Sequence, residues 1–319
     1  METLATASQS TTSDGQDGWE SNPPRWVQEL IGSRDGEWEL TRSGFFVRML
    51  EGERFAVVTC RVPGAVKLGA AAFQKVTRTV YETILNTLQQ SRAHHPVRLW
   101  NLIPGILEPL DEYPHRYLPF NAGRYAAYKA WFQSSESFSY GIPTASGVGH
   151  PGQDLVVHCL ATEFPGTPVE NPRQISSYRY SDRYGMVPPC FARATRLAES
   201  YPAWLLVGGT ASVRGEDTVF VDDLQAQSNE TFSNLAALIS AGQASTYVAP
   251  DKVGDQELWT NLECYRYLRV YYVREDDLSQ ISRMVEERFT GAQSPEFQQA
   301  ELCRPQLLIE IEGVAELPS

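Results

Sequence analysis

Apolar positions along the chain recur at two spacings, and the two spacings alternate in the same order in each half. In FQKVTRTVYETILNTLQQ, Val76, Val80, Ile84 and Leu88 fall on one helical face. In LQAQSNETFSNLAALISA, Leu224, Phe232, Leu235 and Leu238 do the same. Each stretch predicts an amphipathic helix. Runs rich in β-branched and aromatic residues flank both: RFAVVTCRV and PVRLWNLIPGI around the first, AWLLVGGTASV and YRYLRVYYVRE around the second. The order strand, helix, strand therefore recurs. Glu82-Thr83-x-x-Asn86 and Glu230-Thr231-x-x-Asn234 add a short match at an offset of 230 − 82 = 148 residues. Together these patterns predict a duplicated α+β fold. The Pro/Gly-rich stretch GIPTASGVGHPGQD predicts a turn-rich connector, which puts a first domain at 25–150 and a second at 151–319.

Composition supports two cores and narrows the partners. A chain of 319 residues exceeds what one small core organises, and 42% hydrophobic with 11% aromatic residues supplies apolar surface for both halves. The net charge of −12 opposes binding to nucleic acid or anionic lipid unless basic residues cluster, and the sequence shows no such cluster. Residues 1–24 lack the basic and apolar blocks of a secretory signal and read as a disordered tail, and no stretch approaches the roughly 20 apolar residues of a membrane span. Cys60, Cys159, Cys190, Cys264 and Cys303 are odd in number and widely spaced, which suits reduced thiols in a cytoplasm. His94-His95 has no partner at metal spacing, VGGTAS lacks the lysine of a phosphate loop and GxGxxG is absent. A monomer without cofactor or metal is the expectation.

A few residues stand out against this background. In Leu307-Leu308-Ile309-Glu310-Ile311-Glu312, strand alternation puts Leu308, Glu310 and Glu312 on one face, so that Glu310 sits within an apolar strand. Burial raises a carboxyl pKa, which suits a general acid working near neutral pH; a solvated strand edge is the alternative. Arg124 in FNAGR, Arg193 in PPCFARA and Arg214 in TASVRGE lie among apolar or small residues instead of in charge runs, as arginines that fork a ligand carboxylate would. The block NPRQISSYRYSDRYG concentrates hydroxyls and cations, and within it Tyr178 and Tyr184 are candidates for ligand contact.

The blocks RLWNLIPGI, YLPFNAGRYAAY, NPRQISSYRYSDRYG, PPCFARA, VGGTASVRGEDTV and LCRPQLLIEIEGVA occur in the order that makes the chain resemble the chorismatase family, from about Arg98 to Ala315. The second half separately resembles the RidA/YjgF fold. The resemblance implies two RidA-like α+β halves in one chain, imitating neighbouring subunits of a trimer, with the active site in the C-terminal half near the junction. It also implies cleavage of chorismate to pyruvate and a ring acid. Under it, Glu310 becomes the acid that protonates the enolpyruvyl methylene, and Arg124 and Arg193 become partners for the two substrate carboxylates, with Arg214 as the first alternative.

The resemblance further assigns product choice to the positions occupied here by Gly215 and Cys303, both alanine in the hydrolytic subfamily. The pair Gly215 and Cys303 matches the subfamily that makes 3-hydroxybenzoate, in which the ring hydroxyl attacks and water is not consumed. A thiol could move a proton as an arene-oxide intermediate opens, and glycine could clear space for the ring. The alternatives left by the sequence are hydrolysis to 3,4-dihydroxycyclohexa-1,5-diene carboxylate, a mixed 3- and 4-hydroxybenzoate synthase, RidA-type imine hydrolysis, and a RidA-like small-molecule binding protein.

Overall fold

The computed structural model describes residues 22–32, 36–134, 137–244 and 259–318, and regular structure begins with helix α1 (Arg25–Ile31). Strands β1 (Glu39–Leu40), β2 (Phe46–Glu51) and β3 (Phe55–Val62) follow, then helix α2 (Ala70–Leu88) and strand β4 (His95–Pro104). Helices α3 (Tyr117–Phe132) and α4 (Phe138–Gly141) lead into β5 (Thr144–His150) and β6 (Leu155–Thr162). The chain continues through β7 (Thr167–Val169), β8 (Ala194–Arg196), β9 (Trp204–Ala211) and the short pair β10 (Val213–Arg214) and β11 (Asp217–Thr218). It closes with α5 (Leu224–Gln243), β12 (Tyr265–Tyr272), α6 (Leu278–Arg288), β13 (Glu296–Gln299) and β14 (Ile309–Glu316).

The strands form two six-stranded sheets, ordered β1-β2-β3-β6-β4-β5 and β13-β12-β14-β9-β8-β7. Within them the path β3-α2-β4-α3-β5-β6 repeats as β9-α5-β12-α6-β13-β14. In each copy the last strand inserts between the first two, antiparallel to both: β6 between β3 and β4, β14 between β9 and β12. The third strand of each copy runs parallel to its neighbour and needs the crossover that α3 and α6 supply. The duplicated α+β architecture expected from the alternating patterns is thus present.

The short sequence match between the two helices is not part of the duplication. Buried positions of the two helices coincide at an offset of 154 residues (231 − 77): Thr77 with Thr231, Val80 with Asn234, Tyr81 with Leu235, Ile84 with Leu238. The offset of 148 pairs the part-exposed Glu82 and exposed Asn86 with the buried Glu230 and Asn234. Flanking strands carried the correct information, because each must pack a helix against one sheet face.

Two further expectations are corrected. The stretch expected as a connector contains β5, which pairs along its length with β4; its small residues lie beside bulky neighbours, as where Gly147 faces Tyr117 and Gly149 faces Ile106. The division at 150 and 151 accordingly falls between two strands of one sheet, and the first sheet extends to Thr162 because all eight residues of β6 are buried at its centre. Most of the expected tail, residues 1–21, lies outside the described residues, whereas Asn22 is tied down by its carbonyl accepting from Arg269 (3.2 Å).

The two halves share a core. Trp26, Val57, Trp100 and Leu160 pack with Leu206 and Val314 of the second sheet. Across the same junction Arg98 donates to Glu312 at 2.7 Å, both side chains being 2% exposed. Trp100 Nε1 (2.8 Å) and Tyr271 Oη (3.3 Å) also donate to Glu312, as does the Ser146 hydroxyl. These donors offset the desolvation of the carboxylate and lock β14 against β4 and β5.

Candidate active site

At one end of this junction lies a cavity of about 500 Å³. Its wall combines α3 and β5 of the first half with β9, the start of β14 and the segments 174–193 and 303–307. Each half contributes what the other lacks. Arg124 of α3 comes from the first half, and Arg193, Arg304 and Glu310 come from the second, so the site forms only when the two sheets pack.

Glu310 lines the cavity and is 4% exposed. On β14 it stands opposite Tyr271 of β12 and Ala211 of β9, one step from where Gly209 leaves room for its carboxyl. Burial pushes the Glu310 carboxyl up to about 8, and the nearby Glu312 charge adds to this, while Arg98 and Arg193 pull it down. A carboxyl in that state is protonated at neutral pH and faces the cavity, as general acid catalysis requires. Alternation along the strand places Glu310 and Glu312 on one face as expected, but with different fates. The one at the junction is surrounded by donors, and the one at the cavity is left to hold its proton.

Arg124, on α3, also lines the cavity and is 1% exposed. Nη2 donates to Asn121 Oδ1 (2.8 Å), Nε has no partner, and Phe120 and Phe191 lie under the guanidinium at 5.2 and 5.6 Å. Desolvation alone would lower its pKa, but the surrounding phenols of Tyr81, Tyr117 and Tyr128 and the Cys190 thiol hold it protonated. Among the described residues no carboxylate pairs with it. Arg193, 7% exposed, also lines the cavity, its guanidinium 5.2 Å from the same Phe191 ring, with Nη2 donating to the Ile175 carbonyl (3.0 Å) and Tyr180 Oη (2.6 Å), and with Nε unpartnered. Two of the three arginines expected to meet a ligand, Arg124 and Arg193, thus line the cavity together with Glu310.

Other expected residues separate. Tyr184 lines the cavity, where its hydroxyl donates to Asp217 (3.1 Å) and Arg304 covers its ring at 4.0 Å. Cys303 lines it too. That residue is partly exposed but its thiol is enclosed, and burial pushes the thiol up to about 12, with the neighbouring Glu310 adding to the shift. Three residues lie elsewhere. Arg214 pairs with Glu230 of α5 (2.6 Å), which also accepts from Arg173 (2.9 Å), so its guanidinium turns to α5, whereas its neighbours Val213, Asp217 and Thr218 line the cavity. Tyr178 packs beside Phe138 (ring centroids 6.4 Å apart) on the first core. Gly215, with φ +60°, makes the tight turn between β10 and β11, and a side chain added there would meet nothing within 4 Å. Its glycine therefore answers a left-handed turn and not a crowded ring pose.

The structure also adds residues that sequence reasoning passed over. Arg304, next to Cys303, donates to the Glu216 carbonyl (2.7 Å) and lies against Tyr184 within the cavity wall. Tyr180, two residues from the expected Tyr178, braces Arg193. Ser146 links β5 to the Arg98–Glu312 pair and to β9, accepting from Arg98 (2.5 Å) and from the Gly209 amide (2.8 Å) while donating to Glu312. The quoted blocks contain Arg304 and Tyr180, but nothing in their spacing says which side chain of a polar loop turns inward.

A family model described as chorismatase FkbO/Hyg5-like, N-terminal, matches residues 41–161, ending at β6 as the first sheet does. A 3-hydroxybenzoate synthase of Streptomyces hygroscopicus is 31% identical over 247 residues, which span 76% of this chain and 69% of that protein. The chain belongs to the chorismatase family. A chorismatase of Streptomyces rapamycinicus is 27% identical over 322 residues, spanning 97% of this chain and 85% of its relative. A chorismatase crystal structure shares the fold, with a TM-score of 0.71 at 22% identity, covering 88% of this chain and 79% of that one. The two-sheet architecture around the cavity is thus the chorismatase fold.

Proposed function

We propose that this chorismatase converts chorismate to 3-hydroxybenzoate and pyruvate at the cavity around Glu310. The observation that carries the reading is the pairing of a neutral buried carboxyl with a buried guanidinium, Arg124, that has no carboxylate partner among the described residues. Leaving a cation so buried is costly unless a ligand anion completes it. Chorismate carries two carboxylates on a compact ring, and the cavity offers Arg124 and Arg193 as two cationic positions, both beside Phe191. Phe191 and the rings of Tyr117, Tyr180 and Tyr184 supply its apolar walls.

In this reading Glu310 donates its proton to the enolpyruvyl methylene. The C4 hydroxyl oxygen then displaces the activated group from C3, the ether oxygen departs as the ketone of pyruvate, and the hydroxyl proton returns to Glu310. The ring is left as an arene oxide, which opens to 3-hydroxybenzoate with loss and gain of one proton. Chorismate therefore divides atom for atom into the two products. With its pKa near 12, Cys303 takes part as a neutral thiol, passing on a proton only as it receives one. Incubating the pure protein with chorismate and separating the products tests the reading. 3-Hydroxybenzoate in equal amount to pyruvate is the expected result, and a non-aromatic diol as main product overturns it in favour of hydrolysis.

A further inference from the structure

A carboxylate behind the cavity is used by none of the steps above. Val169 of β7 stands opposite Ala194 of β8 at the end of their antiparallel ladder; Glu170 directly follows Val169 and Arg193 directly precedes Ala194, and the Arg193 charge reaches the Glu170 carboxyl. Both Glu170 carboxylate oxygens are buried and meet no donor in full hydrogen-bond geometry, the Ser176 hydroxyl and the Arg193 amide being the donors beside them. The Arg193 guanidinium is committed on Nη2 to Tyr180 and the Ile175 carbonyl, while Nε is unpartnered.

We propose that Glu170 is a positioning residue that serves as counter-ion to Arg193 in the empty site and takes up a proton when a substrate carboxylate occupies that guanidinium. The proposal rests on the reading of chorismate as substrate. Burial pushes Glu170 up to about 7, with Arg193 as the main opposing influence and Ser176 and Arg179 as lesser ones. The other groups facing it are Tyr178 from the 3-10 turn 177–179 and, beyond Arg193, Tyr180. From α5 the acidic Glu230 is already taken up by Arg173 and Arg214, and Arg196 lies further along the ladder opposite Thr167. A substrate carboxylate at Arg193 competes for the main cation that holds Glu170 ionised and adds like charge, so the Glu170 pKa must rise further on binding.

The sign follows from linkage. Between the free and bound pKa values, binding draws in a proton, so affinity falls as pH rises above about 7, by up to about tenfold per pH unit. Below about pH 6 Glu170 already holds its proton and no uptake remains.

Titration calorimetry of chorismate into the Glu310→Gln protein, which keeps the substrate intact, reads proton uptake from two buffers of different ionisation enthalpy. Near pH 7.5 we expect net uptake in Glu310→Gln and its loss in Glu310→Gln/Glu170→Gln. In protein with Glu310 intact, Glu170→Gln should flatten the rise of KM between about pH 7 and 8.5 without moving the pH at which kcat falls. Should the glutamine variant not fold, Glu170→Asp, which retracts the carboxyl from Arg193, should shift the pH of maximal uptake. Uptake that is absent from Glu310→Gln, or unchanged by either Glu170 substitution, overturns the proposal. Wild-type turnover measured alongside separates the two readings. Turnover without Glu170-dependent uptake removes only this role of Glu170, whereas absence of both turnover and binding removes chorismate as substrate and the proposal with it.

Discussion

Gly209 on β9 leaves the space that the Glu310 carboxyl occupies: a Cβ built on Gly209 would overlap Glu310 Oε1 and approach Ser146 Oγ to 3.2 Å. The position needs no unusual φ, so its glycine answers a side chain on the neighbouring strand. Gly209→Ala should fold and yet force the carboxyl out of line. A displacement of about 1 Å can cost on the order of 100-fold in rate. Steady-state kinetics should show kcat falling at least tenfold, and near wild-type kcat would show that the carboxyl position is not critical.

Glu310→Gln preserves size and removes the acidic proton, and it should lower kcat by at least about 100-fold. Because Glu310 acts protonated and its pKa lies near 8, wild-type kcat should fall as pH rises through about 8. The same group affects stability with a definite sign. An unfolded glutamate releases its proton above about pH 4.3 whereas the folded one keeps it to about 8, so ionisation favours unfolding increasingly across that window. Glu310→Gln should therefore raise the melting temperature at pH 8 and change it little at pH 4, as scanning calorimetry at both values checks.

Arg124→Ala and Arg193→Ala should each weaken chorismate binding, since a buried charge left without its partner costs roughly 2–5 kcal/mol. KM should increase by a factor of about 30 or more, with lysine restoring only part because it lacks the planar fork. Arg214→Ala is the contrasting variant. It breaks an ion pair to Glu230 outside the cavity wall and should leave KM for chorismate within about twofold. Equal effects in all three would remove the distinction drawn from the structure.

Product identity should depend on Cys303. Turnover in oxygen-18 water, with pyruvate trapped at once as lactate and a control for ketone exchange, should leave lactate at the control level. Label above it would mean water attack. Cys303→Ala should divert product towards the diol while Glu310 remains, and an unaltered ratio would reduce the thiol to a packing role. As burial raises the thiol to about 12, the product ratio should not titrate with this group between pH 6 and 9.

Glu312→Gln tests the junction. It withdraws the charge from buried Arg98, and breaking such a pair typically costs 3–5 kcal/mol. Denaturant unfolding should report the loss, and stability within 1 kcal/mol of wild type would show that Arg98 finds another partner.

The sequence by itself determined the elements and singled out Glu310. Strands and helices declare themselves because burying one face imposes a period of two or near 3.6 residues, and this period made β3, α2, β4 and their counterparts β9, α5 and β12 legible. Glu310 was legible for the same reason, as a carboxyl in an apolar strand must be buried and protonated or paired. Tertiary structure decided which of these outcomes applied, giving Glu312 to Arg98 and leaving Glu310 to the cavity. It likewise divided three similar arginines between a ligand cavity and an ion pair with Glu230, and put Tyr184 and Tyr180 inward while Tyr178 joined the core. Loop side chains carry no period, so their direction depends on which distant strand or helix arrives beside them. The β5 strand was hidden for a related reason: its glycines and serine mark close approach to Tyr117, Ile106 and Arg98, partners from other parts of the fold, and read locally such residues look like a turn.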